Sequence, residues 1–598
     1  MKVKSALIIC VFSSLYFIRC ATNEKTPVQK VKATYSNNLD SFTVALVQLQ
    51  KSIDTGIEDS VQIRKEFNNA RIAYKQIELL VDYYNPGTAK SINGPALYEV
   101  EPENPLIPEQ PSGFQVMEEL LFPIFDRSGL LQLKQQSDLL NSVGTRLKSI
   151  NATTEFTREH IWDAIKMSII RIETLGLSGY DSPIANQSII EAKFSLKTID
   201  DLIQCFEQVD ATDSVKQSIQ LACDYIDDNN NFNDFNRAVF IAQYLNTCSK
   251  LIATCQQKLK ISNFNESRLV SSSATNIFEK NVFDPWYFSY SQKDMSNESM
   301  VQLGEKLFYS NELSSNNTRN CSSCHNPQKG FTDGLKTNSS FNGVSTIKRN
   351  TPTILYAALQ PTQFADSRLV YLEDQAKQVI ENPNEIHGDL AKTSKLLNQK
   401  DAYKIAFKQA FNVDSIAPIQ IQTAIAAFIR TKAAFDSPFD EYMRGNSTAL
   451  NASQIKGFNL FMGKAKCATC HFMPLFNGTV PPFFSTMESE VLGTPSSAKP
   501  PYKIDADSGK YFLYNAPLHM YAFKTPTIRN AALTAPYMHN GVYQTLEEVM
   551  DFYNKGGGAG LGIQLENQTL PPDALGLNKS EINDIISFIH ALTDKKLD

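Results

Sequence analysis

Over residues 34–259 apolar side chains recur at spacings of three and four, with long stretches free of Pro and Gly. That period predicts amphipathic helices packed as a bundle. The main break is residues 85–112, rich in Pro and Gly, which reads as one long loop. Ser271-Ser272-Ser273 precedes a change in character and is the linker candidate. Beyond it, short helices alternate with long loops rich in Asn, Pro, Thr and Gly. Met300, Leu303 and Leu307 share one helical face there. Ile582, Ile585, Ile586 and Ile589 stripe the last helix, with Ser580 as its N-cap candidate. The fold expected is mainly α, and its irregular second half needs something besides side chains to fill its core.

A length of 598 residues exceeds what one core usually organises, so two or three domains are expected. With 42% hydrophobic and 20% charged residues, the composition is that of a globular chain, and a net charge of -6 argues against a general nucleic-acid binder. Lys2 and Lys4 precede an apolar run over residues 6–18, followed by Cys20. This is the layout of an export signal over residues 1–20, and the run is too short to span a bilayer comfortably. Cys20 is a candidate for lipid attachment, although Arg19 stands where such a signal carries a small residue. The expected location is the periplasm or cell envelope, free or lipid-anchored.

Cys205, Cys223, Cys248 and Cys255 read equally as disulfide partners and as buried thiols on helices. Cys321-Ser-Ser-Cys324-His325 and Cys467-Ala-Thr-Cys470-His471 carry the chemistry. This pentad is the attachment signal of c-type haem: two thiols add to the porphyrin vinyls, and the adjacent His becomes an axial ligand. A shared zinc site would use the same cysteines, but the His directly after each pair suits haem better. Dithiol redox chemistry would need a strand-helix context that the pattern lacks. Each pentad follows an apolar helix and precedes an irregular segment, so the haem half holds two related units.

That half resembles the bacterial di-haem cytochrome c peroxidases, MauG-type enzymes included. The resemblance runs from about residue 276 to the C-terminus and is carried by Leu303-Gly-Glu-Lys-Leu-Phe308, Arg349-Asn-Thr-Pro-Thr353, residues 364–385, Phe523-Lys-Thr-Pro-Thr-Ile-Arg-Asn530, Thr534-Ala-Pro-Tyr-Met-His-Asn-Gly541 and residues 545–557. It implies a first cytochrome c domain over 276–445 with a peroxidatic haem on His325. A second, over 446–598, would hold an electron-relaying haem on His471. It also implies distal-pocket roles for Gln375 and Glu385, the carboxylate moving a proton from one peroxide oxygen to the other. Residues 338–344 contain no His where some members carry one that blocks the first haem, and Phe341 or Asn342 falls there instead. Ala365 stands where many relatives place a Trp between the haems. The sixth ligand of the second haem falls at Tyr553, with Met538 as the alternative. A calcium ion is implied between the two domains, held by the Asn350 side chain and the carbonyls of Thr534 and Pro536. His539 is a candidate partner of a haem propionate; His160, His387, His519 and His590 read as surface or structural.

In the first half, assigned to residues 30–265, Gly113-Phe-Gln-Val-Met-Glu118 resembles the Gly-x-His-x-x-Glu stretch of imelysin-like helical bundles, with Gln115 replacing the His. Arg71, Tyr74 and Glu78 fit the same picture, and packing is the plainer role for Glu118. Two functional readings follow. One is a peroxidase that reduces hydrogen peroxide with electrons from a small cytochrome c, a cupredoxin or an oxidisable substrate. The other is a non-catalytic electron carrier or redox sensor built on the same two haems.

Overall fold

The computed structural model describes residues 25–55, 60–100, 104–290 and 297–597, so the export-signal and lipidation readings lie outside the described residues. Long helices dominate the first half: Pro27–Thr55, Ser60–Tyr84, Leu130–Thr153, Arg158–Arg171, Ser188–Ile203, Asp210–Asp228 and Asn246–Lys258. Their apolar stripes, such as Leu39, Phe42, Leu46, Leu49 and Ile53 on the first, are fully buried. The stretch read as one long loop holds a helix, Pro86–Asn93. Proline at the first helical position costs no hydrogen bond and presets the helical φ, so a proline-rich stretch here starts a helix.

Around that bundle's centre lies a buried network of charges. Arg71 Nε donates to Glu191 at 2.6 Å, Lys75 Nζ to Asp181 at 2.6 Å, and Arg171 makes two bonds of 2.8 Å to Asp181. Glu118 accepts from the Ser182 hydroxyl and from the backbone N–H of Ile184 and Ala185, so it pins a turn, as the packing reading expects. Gln115 donates to the carbonyls of Asn93 and Tyr180. Cys205, Cys223, Cys248 and Cys255 are free and buried, which settles their alternatives in favour of thiols.

Ser271–Ser273 is no loose tether. Ser271 N–H donates to the Val282 carbonyl at 2.8 Å, and Val270 bridges Phe283, so the segment is folded onto its neighbours.

The two haem-domain units repeat one construction. The helix Glu298–Phe308 packs on Pro418–Arg430, and Ala452–Met462 packs on Lys579–Ala591. Each contact passes through a glycine. A Cβ on Gly304 would lie 1.9 Å from the Ala424 carbonyl oxygen, and one on Gly457 would lie 1.9 Å from that of Asp584. Both helices lead to a short 3-10 turn that carries the first cysteine, Cys321–Ser323 and Cys467–Thr469. A Thr-Pro-Thr segment then returns beneath each turn: Thr353 Oγ1 donates to Gly330 O at 2.6 Å and Thr527 Oγ1 to Leu475 O at 2.8 Å. The N-cap of the last helix is Asn578, bonded to the Glu581 N–H, rather than Ser580. Asn578 caps because its side chain reaches the N–H three residues on, whereas Ser580 already lies inside the helix.

The bundle and the second unit share one continuous apolar core. Asn459 accepts from Ala238 N–H and donates to Asn236, both at 3.0 Å, and Asn246 Nδ2 donates to the Met443 carbonyl at 2.9 Å. Of two π-helical turns, Ile172–Gly176 meets the Cys467–Thr469 turn of the second unit, and Phe240–Leu245 meets the helix Pro438–Met443 that precedes that unit. Among the described residues no helix is long and apolar enough to cross a membrane.

Candidate haem centres

Both pentads open onto one cavity of about 1730 Å³, lined by Cys321, Cys324, His325, Cys467, Cys470 and His471. Pockets for single small ligands run to roughly 300–1,000 Å³, so this space suits two large planar groups. Its apolar walls include Phe308, Leu372, Val379 and Ile380 from the first unit and Phe461, Val549, Met550 and Ile589 from the second.

The thiols fit covalent attachment. All four are free, and burial pushes Cys321 and Cys467 up to about 12 and Cys324 up to about 11. Burial thus keeps them neutral, and the free thiol is the form that adds across a vinyl group. Among the described residues no three His, Cys, Asp or Glu side chains converge as a shared metal site would require.

The imidazoles are set for axial ligation. His325 Nδ1 lies 3.0 Å from the Phe331 carbonyl oxygen. His471 Nδ1 lies 3.3 Å from that of Phe476 and 3.1 Å from that of Pro526. A carbonyl can only accept, so Nδ1 carries the proton and Nε2 keeps its lone pair. Burial lowers the pKa of both rings, that of His471 to about 4, which keeps them neutral. Phe331 and Phe476 reach these positions with φ of 59° and 50°, the left-handed backbone that turns their carbonyls back onto the rings.

Gln375 and Glu385 both line the cavity, and the charge of Glu385 bears on the Cys324 thiol, which places it beside the first pentad. Its carboxylate accepts from Asn382 Nδ2 at 2.7 Å. Burial raises its pKa, and the nearby Arg368 offsets part of that. Phe341 is a correction: it does not line the cavity. Its ring meets His387 edge-on at 5.1 Å, and Arg319 lies 5.8 Å above it. Its N–H is tied to the Asn384 carbonyl, which turns the segment outward. Among the described residues His325, His471 and His539 are the only histidines lining the cavity.

Tyr553 and Met538 both line the cavity and pack on the same small cluster of Val542, Tyr543 and Phe552. Burial raises the Tyr553 hydroxyl above its ordinary value, and the Cys470 and Cys467 thiols push it further, which sets this ring beside the second pentad. His539 Nε2 pairs with Asp505 Oδ1 at 3.2 Å, and its ring stacks on Phe523 at 3.8 Å. Asn350, Thr534 and Pro536 all line the cavity, and Asn350 N–H donates to the His539 carbonyl at 2.7 Å. Asn350 Nδ2 is committed to the Leu335 carbonyl at 2.8 Å, leaving Oδ1 as the side chain's remaining donor atom for a cation.

Sequence reasoning misses several lining residues. Arg319 donates to the carbonyls of Glu385, Ser339 and Ser340, and so braces the distal loop. At the missing-Trp position, the Ala365 carbonyl accepts from Lys524 N–H at 2.7 Å, and Arg368 stacks on Phe364 at 3.5 Å. Lys524 donates to the Thr362 carbonyl at 3.1 Å, and burial lowers its amine to about 7. Arg349 links the two units by bonds to Asp366 and Asp507. Only the Phe-Lys-Thr-Pro and Arg-Asn-Thr-Pro stretches mark two of these places in the sequence.

Residues 298–448 match the family model described as di-haem cytochrome c peroxidase. Over 316 residues the chain is 32% identical to the cytochrome-c peroxidase IdrP2 of Denitromonas iodatirespirans, covering 50% of this chain and 83% of that protein. It is 31% identical over 293 residues to the methylamine utilization protein MauG of Methylorubrum extorquens, covering 49% of this chain and 77% of that one. The chain belongs to the di-haem cytochrome c peroxidase and MauG family. It is thus a peroxidase-type oxidoreductase, and membership of a di-haem family implies two haems, which the paired pentads and the shared cavity fit. Among solved structures, a MauG-like protein associated with microbial copper homeostasis is 30% identical, covering 52% of this chain and 93% of its own, with a TM-score of 0.44.

Proposed function

We propose that this peroxidase reduces hydrogen peroxide at the His325 centre with electrons relayed through the His471 centre. One peroxide takes up two electrons and two protons and leaves as two waters. The haems, covalently held by Cys321 and Cys324 and by Cys467 and Cys470, supply the redox chemistry. The chain's residues supply positions and protons. Glu385, raised by burial and held by Asn382, takes the proton of the oxygen that binds and returns it to the oxygen that leaves. The Gln375 amide, which lines the same cavity, orients the peroxide. Tyr553, with Met538 as the alternative, would supply a further ligand to a haem held by His471.

The observation that supports this reading is the buried carboxylate of Glu385 beside Cys324 of the first pentad, in a cavity that Gln375 also lines. A pure electron carrier or sensor has no use for such a pocket. The test is spectroscopic. One high-spin haem that reacts with peroxide without prior reduction is expected, and that reaction should fail in Glu385→Gln; two six-coordinate low-spin haems would favour the carrier.

The electrons come from a small cytochrome c, a cupredoxin or an oxidisable substrate, and the enzyme works in the periplasm or cell envelope. A calcium ion between the units rests on Asn350, Thr534 and Pro536, where Gly541 also approaches the Lys336 carbonyl too closely for any side chain. Oxygen donors of this kind suit calcium.

A further inference from the structure

Residues 113–118 tie down one loop of the bundle. Gln115 and Glu118 lie three residues apart on the helix Phe114–Leu121, so they share a face. Both reach the loop between the π-helical turn Ile172–Gly176 and the helix Ser188–Ile203. Gln115 Nε2 donates to the Tyr180 carbonyl at 2.9 Å. Glu118 Oε1 accepts from the Ser182 hydroxyl at 3.0 Å and from the Ile184 N–H at 2.9 Å. In the same loop the Asp181 carboxylate accepts from Lys75 and Arg171, and its carbonyl accepts from Arg71 at 2.6 Å. Glu118 and Asp181 are fully buried. Withdrawing these charges from water is costly, and apolar side chains of similar size often hold helices together as well. What the directional bonds add is a fixed course for the loop.

The fixed loop faces the haem cavity, where Tyr180, Pro183 and Ile184 form part of the wall. This wall lies on the side of the second pentad. The Tyr180 ring meets Phe472, the residue after His471, edge-on at 5.8 Å. The π-helical turn that leads into the loop packs on the Cys467–Thr469 turn. All three wall residues come from outside both haem units.

We propose that Tyr180, Pro183 and Ile184 are part of the binding site of the second haem, and that Glu118 is the positioning residue that holds them there. The inference rests on the reading of His471 as the ligand of that haem. It gives the bundle a task in the electron relay, which is to close one side of the second centre against water. Ferric haem carries one unit of positive charge more than ferrous haem, and water stabilises the more charged state. Solvent access and local dielectric thereby help to set the potential of such a centre. A closed wall keeps the second haem easier to reduce. The contacts run to the second pentad, so the effect is confined to one of the two haems.

The test uses the full-length protein with both haems attached, titrated by spectroelectrochemistry. His471→Ala marks which of the two haem signals belongs to the second centre. Tyr180→Ser leaves every bond of Glu118 in place. It should move the ferric–ferrous equilibrium of the second haem about tenfold toward ferric, which is about 59 mV for one electron. Tyr180→Phe keeps the ring and should keep the wild-type potential. Glu118→Ala should shift the equilibrium in the same direction as Tyr180→Ser. Glu118→Gln, whose amide oxygen accepts the same N–H groups, should retain the wild-type value. Should Glu118→Ala fail to fold, Glu118→Asp, one methylene short of the loop, takes its place. The His325 haem should keep its potential in every one of these variants. An equal shift of both haems in Tyr180→Ser, or a shift of neither, overturns the wall. A shift in Tyr180→Ser without one in the Glu118 variant overturns the positioning role. Two haem signals that both ignore His471→Ala overturn the reading of His471 itself, and the proposal with it.

Discussion

The Nδ1–H of His325 donates to the carbonyl oxygen of Phe331 across 3.0 Å, and the Nδ1–H of His471 makes the same bond to Phe476. Two rings far apart in sequence are thus fixed in one tautomer by one local device, a left-handed phenylalanine that turns its carbonyl inward. In His325→Ala the thiols of Cys321 and Cys324 still attach a haem, but its axial ligand is gone. A pyridine haemochrome assay should still count two haems per chain, while peroxide turnover falls by roughly a hundredfold or more. Turnover within a few-fold of wild type would show that His325 is not the ligand of the reactive centre.

Glu385 is placed to move a proton, and burial raises its pKa while Arg368 opposes the rise. Only the ionised carboxylate can accept the first proton. The rate of the peroxide reaction should therefore fall as pH drops through a midpoint above the ordinary Glu value of about 4.3. Glu385→Gln should lower that rate by roughly 10²–10⁴ and remove this acid limb. An unchanged limb in the variant would assign it to another group.

How far the sequence reaches depends on whether a feature is local. The pentads, the apolar face of Met300, Leu303 and Leu307 and the stripe on the last helix are short-range patterns, and all lie where the pattern puts them. Phe341 lies elsewhere than its position in the chain suggests because Arg319 and Asn384 are far off in sequence, and their bonds decide which way the segment turns. Arg319 and the bundle's Tyr180 are illegible in the sequence for the same reason. Nothing in the order of residues says that a helical bundle will help wall the cavity of the second pentad.

Tyr553 and Met538 sit in one wall, and a substitution at each tells them apart. Tyr553→Phe should change the electronic spectrum of the His471 haem and shift its midpoint potential by several tens of millivolts, since a phenolate favours the ferric state; a shift of about 60 mV is tenfold in a one-electron equilibrium. Met538→Leu should leave both readouts near wild type. The reverse pattern would make Met538 the ligand.

Chelation should remove the stability that a calcium ion on Asn350, Thr534 and Pro536 provides. A ligand present at a hundred times its dissociation constant stabilises by about 2.7 kcal/mol, enough to move a melting midpoint by a few degrees. A chelator should lower the midpoint, and calcium, unlike magnesium, should restore it. Asn350→Ala should melt low and ignore both cations. A wild-type midpoint indifferent to chelator and calcium would remove the ion from this site.

Glu173 lies fully buried on the π-helical turn Ile172–Gly176 against the second haem unit, with one carboxyl oxygen unpartnered. Burial raises its pKa from 4.5 to about 8. Between those two values the folded protein holds a proton that the unfolded chain has released. Stability is therefore full below pH 4.5 and declines as pH rises toward 8. The decline follows the usual proton linkage of about 1.36 kcal/mol per pH unit, so the loss by pH 7 is on the order of 3 kcal/mol, an upper figure because buried sites relax. Glu173→Gln keeps the shape and cannot ionise. It should match wild-type stability near pH 5 and exceed it near pH 8, with the gap in melting midpoint widening steadily between them. A gap that stays constant with pH would mean that Glu173 is already ionised in the folded protein, which would require a buried cation beside this turn.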